Sequence, residues 1–173
     1  MPRRLWAVWK MARPSQLLLI LIVYLLGATI AAANGATLAP RRLVAGATAL
    51  LPLAASVHYA NEFADHETDA RTDRTPFSGG SGALAATGFD PTFALRAAQT
   101  ALLVGIATTT LLFTLTSLPA TSVGVLALIT AFGWQYSLGP LALAWRGWAN
   151  STTPLSAASY SPSTVPASSM THS

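Results

Sequence analysis

Three long stretches of this chain contain no charged residue, and they constrain the fold more than any other feature. Residues 14–40, 43–61 and 97–145 lack Asp, Glu, Lys and Arg altogether. A helix needs about 20 mainly apolar residues to cross a bilayer, so the first two stretches predict one span each and the third predicts two. Only 9% of the 173 residues are charged, against about 25% in an average soluble domain. The sequence therefore predicts an integral membrane protein whose main partner is the lipid bilayer.

The predicted architecture is an all-α bundle of four transmembrane helices. Pro119, close to the polar Ser117, favours a break within the longest uncharged stretch. The predicted spans are residues 15–34, 43–63, 95–116 and 120–138. Because the chain has no cysteine, disulfides and thiolate chemistry are excluded. The basic residues lie at helix ends rather than along one face, which argues against a nucleic-acid partner.

The distribution of basic residues predicts the orientation of the bundle. With four spans, the outer side carries only Arg41 and Arg42. The inner side carries Arg3, Arg4, Lys10, Arg13, Arg71, Arg74, Arg96 and Arg146. Basic residues concentrate on the cytoplasmic side of membrane proteins, and tryptophans such as Trp6 and Trp9 suit the headgroup layer. We therefore expect a multi-pass cell-membrane protein with its N-terminus and the segment after the second span in the cytoplasm.

That segment holds all the acid of the chain. The carboxylates are Glu62, Asp65, Glu67, Asp69, Asp73 and Asp90. Asn61, Asp65 and Asp69 are spaced i, i+4, i+8, and each step of four residues drifts by only about 40° around a helix, so the three share one face. Such oxygens repel one another unless a cation lies among them, and Mg²⁺ is commonly held by one or two carboxylates plus waters and phosphates. The spacing predicts a Mg²⁺–diphosphate site; the alternative is an ordinary solvated loop after a membrane helix.

Four motifs resemble those of the UbiA-type intramembrane prenyltransferases. Asn61-x3-Asp65-x3-Asp69 is similar to the family's first aspartate-rich motif, and Arg13-Pro14 to the Arg-Pro pair before its first span. Asp73-Arg74-Thr75-Pro76 with Ser78-Gly79-Gly80 is similar to its Arg-Pro-x-x-x-Gly loop, and Tyr136-Ser137-Leu138-Gly139-Pro140 to its Tyr-Ser-x-x-Pro segment. The match covers about residues 8–149. The loop after Arg74 and the Trp145-Arg146-Gly147 ending look closest to the menaquinone branch, which prenylates dihydroxynaphthoate.

The resemblance implies an activity and a role for each site residue. The implied reaction moves a polyprenyl group from its diphosphate to an aromatic acceptor, as in quinone or menaquinone biosynthesis. By position in the motifs, Asn61, Asp65 and Asp69 would hold Mg²⁺ and the diphosphate, Arg74 and Arg146 would bind phosphate oxygens, and Tyr136 would face the cavity beside the allylic carbon. Arg146 equally fits a topology charge, and Tyr136 an interfacial anchor.

The chain departs from the family pattern in its C-terminal part. Family members carry a second aspartate motif in a later loop, whereas this chain has no Asp or Glu after Asp90. Residues 150–173 contain twelve Ser or Thr and no charged residue, which predicts a disordered tail. We therefore expect residues 1–149 to form the N-terminal half of a larger UbiA-like bundle. A frameshift or truncation would explain this pattern, as would a naturally short form.

Three functions fit these features. The first is a membrane prenyltransferase by descent, inactive alone because one aspartate motif is missing. The second is a non-enzymatic half-protein that binds Mg²⁺–diphosphate or pairs with a partner chain. The third is a cation transporter, which is disfavoured because its acids would lie in mid-membrane rather than at a helix end.

Overall fold

A computed structural model describes residues 1–69, 80–116 and 118–138 of the chain. Every regular element within those ranges is a helix, so the all-α prediction is confirmed there. The helices are α1 Arg3–Met11, α2 Pro14–Ala33, α3 Pro40–Ala64, α4 His66–Asp69, α5 Ala83–Thr87, α6 Thr92–Thr116 and α7 Ala120–Ser137. The predicted tail, residues 150–173, lies outside the described residues.

Three of these helices, α2, α3 and α6, are long and apolar enough to cross a membrane. The prediction of four spans is therefore wrong by one, although a helix does form at the fourth position. That helix, α7, has 18 residues and ends on Trp134-Gln135-Tyr136-Ser137. Because Gln, Ser and Thr are polar without being charged, a stretch free of charge can still be too polar to count as a span. Which end of the bundle faces the cytoplasm stays a prediction.

Prolines mark where the long helices begin. Pro14 is the first residue of α2 and Pro40 the first of α3, while Pro119 immediately precedes α7. Proline suits the first helical position because its fixed φ is already helical and its missing N–H would have had no partner there. The break predicted beside Pro119 is confirmed, since α6 ends at Thr116 and α7 begins at Ala120.

The centre of the bundle is the pair α3 and α6, which pack against each other more extensively than any other two helices in the described part. Small side chains dominate their buried positions. The buried residues of α3 are Ala45, Ala49, Leu53, Ala55, Ser56, Tyr59, Ala60 and Glu62, and those of α6 are Ala94, Ala98, Gly105 and Thr109. A Cβ added at Gly105 would lie 2.8 Å from Leu53 Cγ and 3.2 Å from the Leu53 backbone nitrogen. Small residues thus let the two backbones approach closely, as is typical of membrane helix pairs.

The N-terminal segment forms a helix that the sequence patterns did not predict. Helix α1 is amphipathic: Ala7 and Met11 are fully buried, whereas Leu5 and Trp9 are more than half exposed. It packs against α5 and also touches α3 and α6. Helix α1 therefore lies across one end of the bundle, together with α4, α5, the last turns of α3 and the first turns of α6. We call this the α1 end.

Arg3 fastens α1 to the connection between α5 and α6. Its Nη2 donates a hydrogen bond to the carbonyl oxygen of Thr87 at 2.5 Å. Its guanidinium also lies 5.7 Å from the centre of the Phe89 ring, within the range of a cation–π interaction. These contacts hold the amphipathic helix against the end of the bundle.

Candidate functional site at the alpha1 end

Helix α7 contacts α3 through polar residues on two successive turns near the α1 end. Ser137 Oγ donates a hydrogen bond to Asn61 Oδ1. One turn away, Trp134 Nε1 donates to Ser56 Oγ at 3.1 Å. Polar side chains that bond across membrane helices define which faces meet. Asn61, the first residue of the predicted site, is therefore oriented by α7.

Gly133 makes this approach of α7 possible. A Cβ at that position would lie 2.7 Å from Val57 Cγ2 of α3. Val57 and Asn61 are four residues apart and share a face of α3. The face of α3 that carries Asn61 is thus the face that meets α7.

Asp65 follows Asn61 by one turn, but the helix does not continue unbroken to Asp69. Helix α3 ends at Ala64, and Asp65 is its C-terminal cap, with its N–H bonded to the Asn61 carbonyl oxygen at 2.9 Å. The short helix α4 then begins at His66 and ends at Asp69. The predicted continuous face is therefore interrupted at Asp65, which is half-buried. The side chain of Asp69 lies outside the described residues.

The described oxygen atoms at this site suit a metal ion whose remaining coordination positions are filled by water and a bound ligand. Within residues 1–69, 80–116 and 118–138, no three His, Asp or Glu side chains are grouped as they would be around a metal ion. Mg²⁺, however, takes one or two carboxylates and fills its other positions with water and substrate phosphate oxygens. The amide oxygen of Asn61 and the carboxylate of Asp65, on consecutive turns, fit that chemistry. Magnesium at this place stays a prediction.

The most buried acid of the described residues is Glu62, to which the spacing pattern assigned no role. Glu62 is 4% exposed, and its Oε2 lies 3.4 Å from Arg13 Nη2. The Ser81 N–H donates to Oε2 at 3.0 Å and the Ser81 hydroxyl donates to Oε1 at 2.5 Å. A buried carboxylate requires such partners, because leaving water without them is costly. Glu62 therefore joins three segments of the chain: the residues before α2, the end of α3 and the residues before α5.

The sequence did contain a signal for this cluster. Glu62 falls within the predicted span 43–63, and an acid inside a membrane helix is normally paired. The i, i+4 spacing selected Asn61 instead, whose side chain lies about 100° around the helix from that of Glu62. Arg13 could not be chosen as the partner from sequence, because it is 49 positions away along the chain.

Arg13 also has an unusual backbone conformation. Its φ of 51° and ψ of 69° are left-handed, and Arg13 is the one described residue other than glycine with a positive φ. A left-handed conformation costs an L-residue roughly 1–2 kcal/mol, while a following proline disfavours the ordinary α conformation. The ion pair with Glu62 helps to hold this strained link between α1 and α2. The turn directs the Arg13 guanidinium toward α3.

Three buried polar atoms at or near the α1 end have no hydrogen-bond partner within the described residues. They are Arg13 Nε, His58 Nε2 and Gln135 Oε1. Buried polar groups in native structures are almost always paired with protein, water or ligand. These atoms supply two nitrogens and one oxygen that a polar ligand or water can satisfy.

Of the remaining predicted site residues, only Tyr136 has a described side chain. Tyr136 is 45% exposed and lies about 100° around α7 from Ser137, which contacts Asn61. Arg74 and Arg146 lie outside the described residues, as does the Asp73–Gly79 part of the predicted loop. The site that can be described therefore consists of Asn61 and Asp65 beside the Arg13–Glu62–Ser81 cluster.

An apolar cleft between α2 and α7 runs along the helices and begins at Val57, one turn from Asn61. Helix α3 forms its floor, and the cleft consists of two adjoining cavities of about 430 and 450 Å³. Both cavities are lined by Tyr24, Leu50, Leu126 and Ile129. One reaches Val57, a single turn from Asn61, and the other reaches Leu38 at the far end. We call this the α2–α7 cleft.

Comparisons with known proteins do not assign this chain to a family. No protein-family model, characterised protein or solved structure matches this chain. The resemblance to UbiA-type prenyltransferases therefore rests on the motifs quoted above and stays a prediction.

Proposed function

We propose that this chain is the prenyl-diphosphate-binding half of a membrane prenyltransferase, which moves a polyprenyl group from its diphosphate to an aromatic acceptor of the quinone or menaquinone type. One observation carries the proposal. Oxygen donors for a metal–diphosphate group, Asn61 and Asp65, lie one and two turns beyond Val57, which lines the near end of an apolar cleft that follows the membrane helices. A polyprenyl diphosphate has the same two parts, a highly charged head and a long apolar tail.

The head of the substrate fits the α1 end. Asn61 and Asp65 contribute oxygens on consecutive turns, and by resemblance Asp69, Arg74 and Arg146 would complete the diphosphate site. Magnesium, when bound, would neutralise the diphosphate and make it a better leaving group. Ser137 fixes the orientation of the Asn61 amide by donating to its oxygen, which leaves a second lone pair of that oxygen for a ligand.

The tail of the substrate fits the α2–α7 cleft. Both α2 and α7 pack on α3, and neither packs extensively on the other in the described residues. An isoprenoid chain can therefore enter from the lipid between them, with its first units beside Val57 and its end toward Leu38. Apolar lining is suitable because the tail then exchanges one hydrocarbon environment for another and the head determines the position.

The reaction requires more acid than the described residues provide. In prenyl transfer the allylic carbon–oxygen bond breaks, diphosphate leaves, a carbon–carbon bond forms to the aromatic ring, and the ring loses a proton. Among the described residues, Asp65 belongs to no group of three acidic or histidine side chains that could hold a metal ion. The sequence has no Asp or Glu after Asp90, which favours the alternative in which this chain binds Mg²⁺–diphosphate and a partner chain supplies the second acidic motif.

Binding of geranylgeranyl diphosphate to the purified chain in phosphatidylcholine nanodiscs tests the proposal. We expect Mg²⁺-dependent binding that Asp65→Asn weakens at least about tenfold, since a carboxylate–metal contact is lost. Asp90→Asn is the matched control, because Asp90 is an exposed acid of the same end and should have no effect. Equal binding by wild type and Asp65→Asn would disprove the site. Adding 1,4-dihydroxy-2-naphthoate then separates the two candidates: a prenylated product indicates an enzyme, and binding without product indicates a half that needs a partner.

A further inference from the structure

A second cavity at the α1 end lies on the other side of α3 from Asn61. It is bounded by α1, α3 and α6 and has a volume of about 730 Å³. That volume is within the size range of small-ligand sites. Its α3 lining includes Ala55 and Tyr59. Tyr59 precedes Asn61 by two residues, so their side chains leave the helix about 160° apart. This cavity, the α1–α6 groove, is therefore separate from the site proposed for the diphosphate.

The mouth of the groove carries two guanidinium groups from different helices. Arg4 comes from α1 and Arg96 from the first turns of α6, and both are exposed. Among the described residues, neither is within ion-pair distance of a carboxylate. Asp90 also lines the mouth, where Thr92 N–H donates to its Oδ1 at 2.8 Å. Two positive charges and one negative charge leave the mouth net positive.

Arg4 is placed at the groove by the contacts of its neighbour. Arg3 is held by the Thr87 carbonyl oxygen and the Phe89 ring, so α1 cannot rotate freely on the bundle. The Phe89 ring packs 4.8 Å from the Phe93 ring, centre to centre, and both rings line the groove. The charged mouth thus lies directly over an aromatic wall.

Below the mouth the groove is apolar and descends along the membrane helices. Its walls are formed by Pro52 and Ala55 of α3 and by Ala97, Ala101 and Val104 of α6. From Arg96 to Val104 is eight residues, or about 12 Å at 1.5 Å per residue. The small alanines create the space, because larger side chains at those positions would fill it. A groove with a cationic mouth and apolar walls is complementary to an amphiphile with an anionic head.

We propose that the α1–α6 groove binds one anionic phospholipid. Its headgroup phosphate lies between Arg4 and Arg96, and one acyl chain lies along Ala97, Ala101 and Val104. The exposed Trp9 and Leu5 of α1 place that helix at the level of the headgroups, as is typical of interfacial amphipathic helices. The lipid fastens α1 to α3 and α6 and so supports the α1 end, whatever the chain's substrate is.

Native mass spectrometry of the full chain, released from detergent with added phosphatidylglycerol or phosphatidylcholine, tests this proposal. We expect one tightly retained phosphatidylglycerol and weaker binding of phosphatidylcholine. An arginine near a membrane surface contributes about fivefold to binding of an anionic lipid. Arg4→Ala and Arg96→Ala should therefore each weaken phosphatidylglycerol binding by about fivefold, and the double variant by about 25-fold.

Two further variants distinguish the groove from general surface charge. Lys10→Ala removes a positive charge from α1 at a residue that does not line the groove, and it should change affinity less than twofold. Ala101→Trp fills the groove without changing charge and should abolish retention of the lipid, while circular dichroism confirms that helix content is kept. The proposal is overturned if Lys10→Ala weakens binding as much as Arg4→Ala, if Ala101→Trp has no effect, or if a second copy of the chain is retained in place of lipid.

Discussion

Helices α2 and α3 were both predicted as membrane spans, yet they occupy opposite kinds of environment. Helix α2 is the most apolar of the three candidate spans, with a mean hydropathy of 2.3, and it has no buried residue. Helix α3 has a mean hydropathy of 1.5, and 39% of the residues in its 18-residue apolar segment are buried. In a bilayer, burying an apolar side chain against a helix gains little over burying it in lipid. Apolarity therefore identifies a span, whereas small and polar side chains identify the centre of the bundle.

A small residue indicates close packing only where a neighbouring helix lies against it. Helix α2 contains Gly27 and several alanines near its end, but no atom lies within 4 Å of the position a Cβ would take at Gly27. In α6, Gly105 lies directly against Leu53 of α3. The same residue type is thus exposed in one helix and closely packed in the other, and the following predictions test this difference.

The largest effect is expected from removing the buried acid of α3. Glu62→Ala leaves Arg13 without its partner and removes the acceptor of two hydrogen bonds from Ser81. Breaking a buried ion pair costs about 3–5 kcal/mol, and since the Arg13 side chain is 22% exposed we expect about 3 kcal/mol. The free energy of unfolding, measured by titrating dodecyl sulfate into mixed micelles, gives this value. The exposed Glu67→Ala is the control and should change it little; equal effects of the two variants would refute a structural role for Glu62.

A glycine-to-alanine pair compares α6 with α2 directly. Gly105→Ala places a methyl group against Leu53, including its backbone nitrogen, and overpacking of this kind costs about 1–3 kcal/mol. Gly27→Ala adds a methyl group in open space and should be neutral or stabilising by up to about 1 kcal/mol, because alanine favours the helix. The same unfolding titration measures both. If Gly27→Ala destabilises as much as Gly105→Ala, then α2 is packed against a neighbour rather than exposed.

The contact between α3 and α7 depends on a hydrogen bond that can be removed without changing bulk greatly. Trp134→Phe keeps an aromatic ring but loses the donor to Ser56 Oγ. A single hydrogen bond of this kind contributes about 1 kcal/mol. Trp9→Phe, at a 60% exposed position of α1, serves as the control and should lower the free energy of unfolding by less, in the same unfolding titration. No difference between the two variants would mean that α7 is held on α3 by other contacts.

The smallest effect is expected at the start of α6, where Asp90 is exposed. Hydrogen bonds from the Thr92 side chain and N–H hold the pKa of Asp90 below its usual range. Because the pKa is lower in the folded chain, the stabilisation is complete above the unfolded-state pKa and is lost as the pH falls through the lowered value. Thermal unfolding followed by circular dichroism from about pH 6 to about pH 3 should therefore show a small acid-dependent loss that Asp90→Asn lacks. Parallel curves for the two proteins would contradict the capping role.

The candidate site was predictable in part. The spacing of Asn61 and Asp65 placed both at the end of the second span, and the structure has them there on consecutive turns. The Arg13–Glu62–Ser81 cluster was not predicted, because its members come from three distant segments and no local pattern pairs them. The exposure of Tyr136 is set by the rotation of α7, which Trp134 and Ser137 determine through their bonds to α3, and its role beside the allylic carbon stays a prediction.

The sequence by itself determined that the described part of the chain is helical and where its long helices begin and end. Charge-free length and proline positions are local properties, and they located α2, α3 and α6 to within about three residues. Only the tertiary structure decided that α2 is peripheral, that α3 and α6 form the centre, and that Glu62 rather than Asp65 is the most buried acid described. These outcomes depend on which faces meet, and that depends on shape and hydrogen bonding between residues far apart in the chain.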